Sequence, residues 1–167
     1  MPADTCSEPH LSPEVWLGLR SISSLTREGT WQLRVDLVDF QGDNYTALYN
    51  NFRLEEEGPY RIQVSGFDPQ QSNIQDSFSY TNGAAFSTSD NDNDSNDGNC
   101  AARFLGAWWY KHCHTSNLNG YNYNRSDLPE TPEFYAKGII WLNYGNVQDQ
   151  DHYFSWPAVE MKIRRTL

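Results

Sequence analysis

The residues with the clearest capacity for chemistry lie between Asp90 and Cys100, in the stretch DNDNDSNDGNC. This stretch holds four aspartates and four asparagines and no basic residue. Hard cations such as Ca²⁺ take about six to eight oxygen ligands, which closely spaced aspartates and main-chain carbonyls can supply. The spacing is not that of an EF-hand, because the positions that need glycine and glutamate, counted from Asp90, hold Ser95 and Ala101. Two interpretations remain open from composition: a cation-binding loop or a solvated acidic loop.

Three cysteines and the histidines near them allow three further interpretations. Cys113 follows Cys100 after the apolar segment AARFLGAWWYKH, and a disulfide between them would contribute about 3 kcal/mol by constraining the unfolded chain. Alternatively, both are buried thiols in a reduced protein. The third interpretation is a zinc site made from HCH, residues 112–114, together with His152. Because the number of cysteines (Cys6, Cys100 and Cys113) is odd, at least one of them is unpaired or bonded outside the chain.

The composition of the 167-residue chain is that of one folded domain. Apolar residues make up 38% of it and aromatic residues 14%, which argues against a disordered protein. The net charge of −10 makes nucleic acids and anionic membrane surfaces poor partners. No stretch is long and apolar enough to span a bilayer, and no signal peptide is visible at the start.

The elements that must position the candidate residues are mostly strands. TWQLRVDLVDF alternates strictly, with Leu33, Val35 and Leu37 on one face, which predicts a half-buried strand. Further strand candidates are YTALYNNFRLEEEG, YRIQVSGF, GIIWLNY and AVEMKIRR. VWLGLRSI predicts a short helix, capped by Ser12 with Pro13 at its first position.

The region from residue 68 to about residue 132 differs from the rest of the chain in composition. It is rich in Asn, Ser, Asp and Gly, and its aromatic residues follow no period. A loop region of this length inside a compact domain needs something to hold it. We therefore expect an α+β fold: a mainly antiparallel sheet with short helices, a large irregular lobe, and a terminal strand that returns to the sheet.

The stretch FSTSDNDNDSNDGNCAARFLGAWWYKHCHTSNLNGYNY resembles the C-terminal lobe of the fibrinogen-like domain found in ficolins, tachylectins, angiopoietins, tenascins and fibrinogen. The resemblance extends upstream through VWLGLRSISSLTREGTWQLRVDLVDFQG and downstream to VEMKIR. It implies the twisted, mainly antiparallel sheet of that family, with residues 11–167 as a shortened fibrinogen-like domain and residues 1–10 outside it. Within the domain, we expect a sheet subdomain over about 11–67 plus the terminal strand 158–165, and a calcium- and ligand-binding lobe over about 68–157.

The resemblance also implies a calcium site and a disulfide. The implied Ca²⁺ ligands are the side chains of Asp92 and Asp94 and the main-chain carbonyls of Asn96 and Gly98. In the family pattern Cys100 pairs with Cys113, and the peptide bond matching Cys113–His114 is cis. On this basis the acidic stretch is a cation-binding loop, and the bound ion offsets the repulsion among its carboxylates.

In the acetyl-binding lectins of this family, a small pocket beside the calcium loop accepts an acetyl group. The residues that match its walls and its main-chain donor are Phe104, Cys113, His114, Tyr135 and Ala136. An aromatic-lined hole suits a methyl group, and a main-chain N–H suits the acetyl oxygen. Phe104 stands where the family usually has tyrosine, and Tyr144 and Tyr153 are candidates for a further wall.

The function implied by the resemblance is calcium-dependent, lectin-like recognition of acetylated glycans or other acetylated ligands, as in innate-immune pattern recognition. The alternative is a protein–protein interaction or signalling module of the angiopoietin or tenascin sort, with a protein receptor as partner and a vestigial pocket. Binding of a protonated peptide knob, as in fibrinogen, is disfavoured because Ala136 stands where an acidic residue is needed. We expect no enzyme, since no hydrolase motif such as G-x-S-x-G or H-E-x-x-H is present.

Secretion is also expected from the resemblance, and oligomerisation through an upstream region. Family members carry a further disulfide-bonded subdomain ahead of HLSPEVW, which this sequence lacks, and an assembling stalk before it. Cys6 matches nothing in that pattern. In a secreted glycoprotein, the N-x-S/T sequences at Asn44, Asn93 and Asn124 would be glycan acceptors.

Overall fold

Alternating apolar residues build the sheet, as the sequence predicts. The structure is a computed structural model that describes residues 15–125, 127–143 and 152–166. Its main sheet has four antiparallel strands in the order β3-β2-β1-β6. The strands are β1 (Thr30–Val38), β2 (Asn44–Leu54), β3 (Ile62–Phe67) and β6 (Ala158–Thr166). The predicted return of the terminal strand to the sheet is confirmed, because β6 pairs along the whole of β1.

Strand β1 lies at the centre of the packing. The side chains of Leu33, Val35 and Leu37 are completely buried, so the strict alternation seen in the sequence corresponds to one core-facing side. In the register, Leu33 lies opposite Tyr49 of β2 on one side and Ile163 of β6 on the other. This register fixes which side of the sheet meets the lobe.

One helix packs on the sheet, and it begins later than the sequence predicts. Helix α1 spans Leu19–Thr26 and is preceded by Gly18, whose φ of 85° no other residue type adopts easily. The predicted cap, Ser12, lies outside the described residues. Thr26 is buried against the end of β2, where its hydroxyl accepts a hydrogen bond from the N–H of Leu54 at 3.2 Å.

The lobe that follows β3 has little regular structure. Its elements are a 3₁₀ turn (Ser79–Thr81), α2 (Cys100–Phe104) and a short ladder between β4 (Ser116–Asn117) and β5 (Ile140–Trp141). Four aromatic side chains of the lobe are almost fully buried: Trp108, Trp109, Tyr110 and Trp156. Some main-chain groups in the lobe bond to side chains, as the N–H of Asn143 does to the hydroxyl of Ser77. The predicted α+β class, with a mainly antiparallel sheet and a large irregular lobe, is confirmed.

The longest helix in the described part of the chain is α1, with eight residues. None of the helices described is long and apolar enough to cross a membrane.

Candidate ligand-binding site beside the acidic loop

Side chains of the acidic loop bond to the main chain two residues further on. The carboxylate of Asp92 accepts from the N–H of Asp94 at 3.1 Å, and Asp94 accepts from the N–H of Asn96 at 2.8 Å. The side chain of Asn96 accepts in turn from Gly98 at 3.0 Å. Bonds of this kind replace a helical or strand ladder and give a loop a defined shape. The loop is therefore shaped by the aspartates and asparagines that the sequence concentrates there.

Asp94 also connects the loop to helix α2. Its second carboxylate oxygen accepts from the N–H of Cys100, the first residue of α2, at 2.9 Å. Asn99 caps the same helix by accepting from Ala102 at 2.7 Å. On the other side, the N–H of Ser95 donates to the carbonyl of Lys111 at 3.3 Å. The loop thus contacts both segments that the cysteines join.

The donor set of the loop fits a hard cation such as Ca²⁺. Asp92 and Asp94 supply carboxylate oxygens, and one oxygen of Asp92 has no hydrogen-bond partner among the described residues. No three His, Cys, Asp or Glu side chains of the described residues lie close enough together to hold a metal. A cation here would therefore depend on main-chain carbonyls and water as well, as Ca²⁺ sites commonly do. Asn96 and Gly98 are the residues that would provide those carbonyls.

The two cysteines that flank the apolar segment are bonded. Cys100 and Cys113 form a disulfide with a Cα–Cα distance of 5.3 Å. The predicted pairing is confirmed, and the interpretation as two free thiols is wrong. The zinc interpretation is wrong as well, because the sulfur of Cys113 is in the disulfide and is not a thiolate ligand. Cys6 lies outside the described residues.

One cavity of about 250 Å³ brings together the five residues that the resemblance assigns to an acetyl pocket. Those residues are Phe104, Cys113, His114, Tyr135 and Ala136. Asn96 of the acidic loop lines the same cavity, as do Arg103, His112 and His152. The candidate calcium loop and the candidate ligand pocket are therefore neighbours in space.

His114 forms an uncharged aromatic wall of this cavity. Its ring packs edge-on against Phe104, with the ring centres 4.8 Å apart, and against Tyr110 at 5.7 Å. Burial lowers the pKa of His114 to about 4, so the imidazole is neutral at pH 7. Neither ring nitrogen makes a hydrogen bond of normal geometry to a described residue. The wall therefore offers apolar aromatic contact without a charge.

The main chain beside the cavity has unusual conformations at two residues. Cys113 has φ 59° and Ala136 has φ 55°, in the left-handed region that residues other than glycine seldom occupy. The expected cis bond at Cys113–His114 is wrong: the cis bond among the described residues is Gly58–Pro59, and the chain turns at Cys113 through its positive φ instead. The N–H groups of Cys113 and His114 donate to no described main-chain carbonyl.

The segment that carries Tyr135 and Ala136 is fixed by neighbouring backbone. The N–H of Ala136 donates to the carbonyl of His152 at 2.8 Å, and the N–H of Tyr121 donates to the carbonyl of Lys137 at 2.9 Å. Gly120 lies so close to the carbonyl of Gly138 that a Cβ would collide with it. The wall of the cavity is therefore held by contacts from two other parts of the lobe.

A second cavity, of about 360 Å³, adjoins the first. Its lining consists of Arg103, Phe104, Pro132, Tyr135, Lys137 and Tyr153, three of which also line the first cavity. Tyr153 was one of two candidates for a further wall, and its ring lies 5.6 Å from that of Tyr135. The other candidate, Tyr144, lies outside the described residues.

Sequence reasoning missed five residues that line the two cavities, among them Pro132. His112 and His152 entered only as zinc ligands, and Arg103 and Lys137 were not considered as binding residues. A signal was available for the two cations, because Arg103 directly precedes Phe104 and Lys137 directly follows Ala136. No comparable signal existed for His152, which comes to the cavity from a distant part of the chain.

A protein-family model identifies the family of this chain. A family model described as the C-terminal globular domain of fibrinogen beta and gamma chains matches residues 8–166. The chain belongs to this family. The sheet, the irregular lobe and the loop-side disulfide are thus those of a fibrinogen-like domain, as the sequence predicts.

Relatives with this domain differ widely in size. Ryncolin-4 of Cerberus rynchops is 39% identical over 152 residues, which cover 90% of this chain and 41% of ryncolin-4. Tenascin-R of Mus musculus is 40% identical over 156 residues, which cover 93% of this chain and 10% of tenascin-R. The chain therefore spans less than half the length of these relatives.

Solved structures show the same fold. The fibrinogen-like globe domain of human ANGPTL6 matches with a TM-score of 0.80 and 34% identity, covering 91% of this chain and 64% of that one. A lamprey fibrin D-dimer in complex with the peptide Gly-His-Arg-Pro-amide matches with a TM-score of 0.74 and 31% identity, covering 89% and 49%.

Proposed function

We propose that this fibrinogen-like domain is a calcium-dependent recognition module that binds acetylated glycans or other acetylated ligands, of the kind used in innate-immune pattern recognition. The observation that carries the proposal is the single cavity lined by Phe104, Cys113, His114, Tyr135 and Ala136. Phe104, His114 and Tyr135 contribute aromatic rings to its lining and Ala136 a methyl group, beside polar side chains that include Asn96 and Arg103. The main-chain N–H groups of Cys113 and His114, two of the lining residues, donate to no described main-chain carbonyl. An acetyl group needs both: apolar contact for its methyl and a donor for its oxygen.

The role of Ca²⁺ in this proposal is to hold the loop beside the cavity. Asp92 and Asp94, with the carbonyls of Asn96 and Gly98, would bind the ion, which supplies the positive charge that the crowded carboxylates lack. Asp94 bonds to Cys100, which the disulfide joins to Cys113. The ion would therefore order the cavity wall without touching the ligand.

We propose an extracellular location, as expected from the sequence. The disulfide between Cys100 and Cys113 supports it, since such bonds persist in oxidising compartments. The absence of catalysis stays a prediction, and the proposed function is binding alone.

A second candidate function is protein–protein recognition, with a protein receptor and a cavity that takes no ligand. The similarity to tenascin-R and to the ANGPTL6 globe domain favours it. In that case the receptor would bind another surface, and occupancy of the cavity would be irrelevant to complex formation.

Retention on immobilised N-acetylglucosamine tests the proposal. With calcium present, we expect the folded domain to be retained and to elute with free acetate or N-acetylglucosamine, but not with glucosamine, which lacks the acetyl group. The same resin carrying glucosamine is the matched control. A folded, calcium-loaded domain that passes through the acetylated resin would overturn the proposal and leave the protein–protein function as the candidate.

A further inference from the structure

The three asparagines that begin an N-x-S/T sequence differ in how the folded chain uses their side-chain amides. An unmodified asparagine amide has two N–H donors. Attachment of a glycan to the amide nitrogen replaces one of them, so a glycosylated asparagine can donate only one hydrogen bond. An asparagine that uses both donors in the folded chain would therefore lose a bond on glycosylation, whereas one that uses neither would lose nothing.

Asn93 uses both of its amide donors. It is half-buried in the acidic loop, and its Nδ2 donates to the carbonyl of Phe86 at 2.9 Å and to the carbonyl of Asn91 at 3.4 Å. Its neighbours in the chain are Asp92 and Asp94, the proposed Ca²⁺ ligands. A glycan at Asn93 would break one of the two bonds and place a sugar within the loop, so it would oppose folding of the loop.

Asn44 uses one amide donor. It is the exposed first residue of β2, and its Nδ2 donates to the carbonyl of Gly42 at 3.3 Å. One N–H would remain for this bond after glycosylation, so a glycan at Asn44 is compatible with the fold. The aromatic ring that follows it, Tyr45, is half-buried and packs edge-on against Trp156, with the ring centres 5.4 Å apart.

Asn124 presents an amide that the fold does not use. Its side chain is exposed and makes no hydrogen bond within the described part of the chain. Its main chain has φ 49°, a conformation that asparagine tolerates, and its N–H donates to the side-chain oxygen of Asn122 at 2.9 Å. On its other side, Arg125 pairs with Asp127 at 2.9 Å. The amide of Asn124 therefore points to solvent from a turn of defined shape.

Two tyrosines that precede Asn124 form an exposed aromatic surface. Tyr121 is 57% exposed, its ring centre lies 4.7 Å from that of Tyr123, and Tyr123 packs in turn against Phe134 at 5.4 Å. The C–H groups on one face of a sugar ring make that face apolar, so it can pack on an aromatic ring and remove both surfaces from water. Three residues of chain span at most about 10 Å. The first sugars of a glycan on Asn124 therefore reach Tyr121.

We propose that Asn124 is an N-glycosylation site of this domain, that the first sugars of its glycan pack on Tyr121 and Tyr123, and that Asn93 stays unmodified in the folded protein. In this reaction a bond forms between Nδ2 and the anomeric carbon of a lipid-linked oligosaccharide. The bond from that carbon to the diphosphate oxygen breaks, and the amide proton is released with the lipid diphosphate. The inference rests on the proposed extracellular location, because a chain meets this donor in the secretory pathway.

The glycosylated fraction of each asparagine in secreted protein tests the assignment. The full chain is directed to the secretory pathway of a eukaryotic cell, and peptide mass spectrometry measures the fraction in the material that melts cooperatively. We expect a glycan at Asn124 in most chains and at Asn93 in almost none. Ser126→Ala removes the acceptor sequence and keeps Asn124, so it should abolish this glycan and leave the glycosylated fraction at Asn44 unchanged.

An unmodified Asn124 in secreted, folded protein would overturn the assignment, and a glycan at Asn93 in that protein would overturn the exclusion. Either result leaves the acetyl-binding proposal standing, because retention on the resin is measured separately on protein without glycans.

Melting temperatures test the contact with the aromatic surface. The glycosylated chain should melt about 2–4 °C higher than Ser126→Ala. In a Tyr121→Ala background the same comparison should show almost no difference, since the sugar has lost its platform; a cycle of this kind isolates the interaction. Tyr80→Ala removes another exposed tyrosine and is the matched control, in which the difference should persist. An undiminished difference in Tyr121→Ala would overturn the contact while the assignment to Asn124 stands.

Discussion

Single residues set the chemistry of the inner cavity. Ala136 contributes a methyl group in a left-handed backbone conformation, and His114 contributes a ring kept neutral by burial. Both residues are therefore sites where a small chemical change should alter ligand binding or stability in a measurable way.

Ala136→Asp should abolish binding of N-acetylglucosamine. The substitution puts a carboxylate at a position that is 2% exposed, where a methyl group now lies, and burying a charged group costs several kcal/mol. Calorimetric titration checks binding, and circular dichroism checks that the domain remains folded. Ala136→Gly is the control: glycine accepts the φ of 55° without strain, so this variant should fold and should lose no more than the methyl contact. If Ala136→Asp folds and binds as before, the ligand lies elsewhere.

The free energy of unfolding should depend on pH through His114. Burial lowers its folded-state pKa to about 4, against 6.5 for an ordinary histidine, so the unfolded chain binds more protons between these values. Stability is therefore highest above pH 6.5 and falls as the pH decreases towards 4, by up to about 3 kcal/mol from this group. Urea unfolding of the chain with chelator at pH 4.5 and 7 measures the change.

His114→Phe should reduce that pH dependence, because phenylalanine keeps an aromatic wall and cannot be protonated. His112→Gln removes an exposed histidine two residues away and should leave the pH dependence as it was. An unchanged slope in His114→Phe would show that other groups dominate acid unfolding.

At the scale of elements, the acidic loop and helix α1 are fixed in different ways. The loop depends on side chains that bond to its own main chain and, as proposed, on a cation. Helix α1 depends on buried hydroxyl groups that reach the sheet: Ser23 donates to the carbonyl of Glu55 at 2.7 Å, and Thr26 bonds to Leu54.

Calcium should raise the melting temperature of the domain, because an ion that binds only the folded loop stabilises it by mass action, by about 2.7 kcal/mol at a hundredfold excess over Kd. Asp92→Ala should remove this gain and lower stability in chelator only slightly, since the side chain of Asp92 accepts a single bond, from the N–H of Asp94. Asp94→Ala should remove it and also lower stability in chelator, since Asp94 accepts from Asn96 and Cys100. Asp90→Ala is the control and should keep most of the gain, because the side chain of Asp90 accepts from the hydroxyl of Thr88 and is not among the proposed ligands. Equal melting temperatures in calcium and chelator for the unchanged chain would rule out the ion.

Thr26→Val should destabilise the domain by about 1–3 kcal/mol. Valine keeps the shape of the side chain but leaves the N–H of Leu54 without its acceptor in a buried position. Urea denaturation measures the loss. Ser24→Ala, on the exposed side of the same helix, should change stability by less than about 0.5 kcal/mol. A neutral Thr26→Val would mean that the Leu54 N–H finds another partner.

The elements also show what sequence reasoning can reach. The strands were predictable because burial of one face imposes a period of two, visible in Leu33, Val35 and Leu37. The sequence predicts helix α1 too close to the N-terminus. Its predicted start rests on a local capping signal at Ser12, whereas the position of the helix depends on the contact of Thr26 with Leu54 of β2, which the local sequence does not show. The five-residue helix α2 was missed because so short a helix shows no periodicity.

The residues of the candidate site were predictable from the family resemblance and not from the periodicity of the sequence. The residues that line the cavity are far apart in sequence, and the lobe that joins them is held by individual side-chain bonds with no repeating spacing. The same reason explains the error at Cys113–His114: whether a turn forms through a cis bond or a positive φ depends on the packing around it. His152 could not be found because only the folded chain brings it beside Ala136.

For the molecule as a whole, the loop, the disulfide and the cavity form one connected unit. Asp94 bonds to Cys100, the disulfide joins Cys100 to Cys113, and Cys113 and His114 line the cavity. A change at one end should therefore be felt at the other, which is a thermodynamic coupling between two sites.

We predict that affinity for N-acetylglucosamine falls when calcium is chelated, and falls again when the disulfide is reduced. Without the ion, the carboxylates of the loop repel one another and the restraint on Cys100 loosens. Without the disulfide, Cys113 loses its link to α2. Calorimetry in calcium, in chelator, and in chelator with reductant measures the three affinities, with circular dichroism in each condition to show that the sheet persists. Equal affinities would mean that the loop and the cavity act independently.

The pairing of β1 with β6 has a consequence for how the chain is made. Thr30 and Thr166 bond across this pair although 136 positions separate them. At about 5–20 residues per second of synthesis, β1 leaves the ribosome roughly 7 to 27 seconds before its partner. During that interval β2 and β3 can pair, but one side of β1 presents a row of unbonded N–H and C=O groups to other nascent chains. Translation that terminates before Ala158 would make this state permanent. The expected product is an aggregation-prone fragment with a three-stranded sheet.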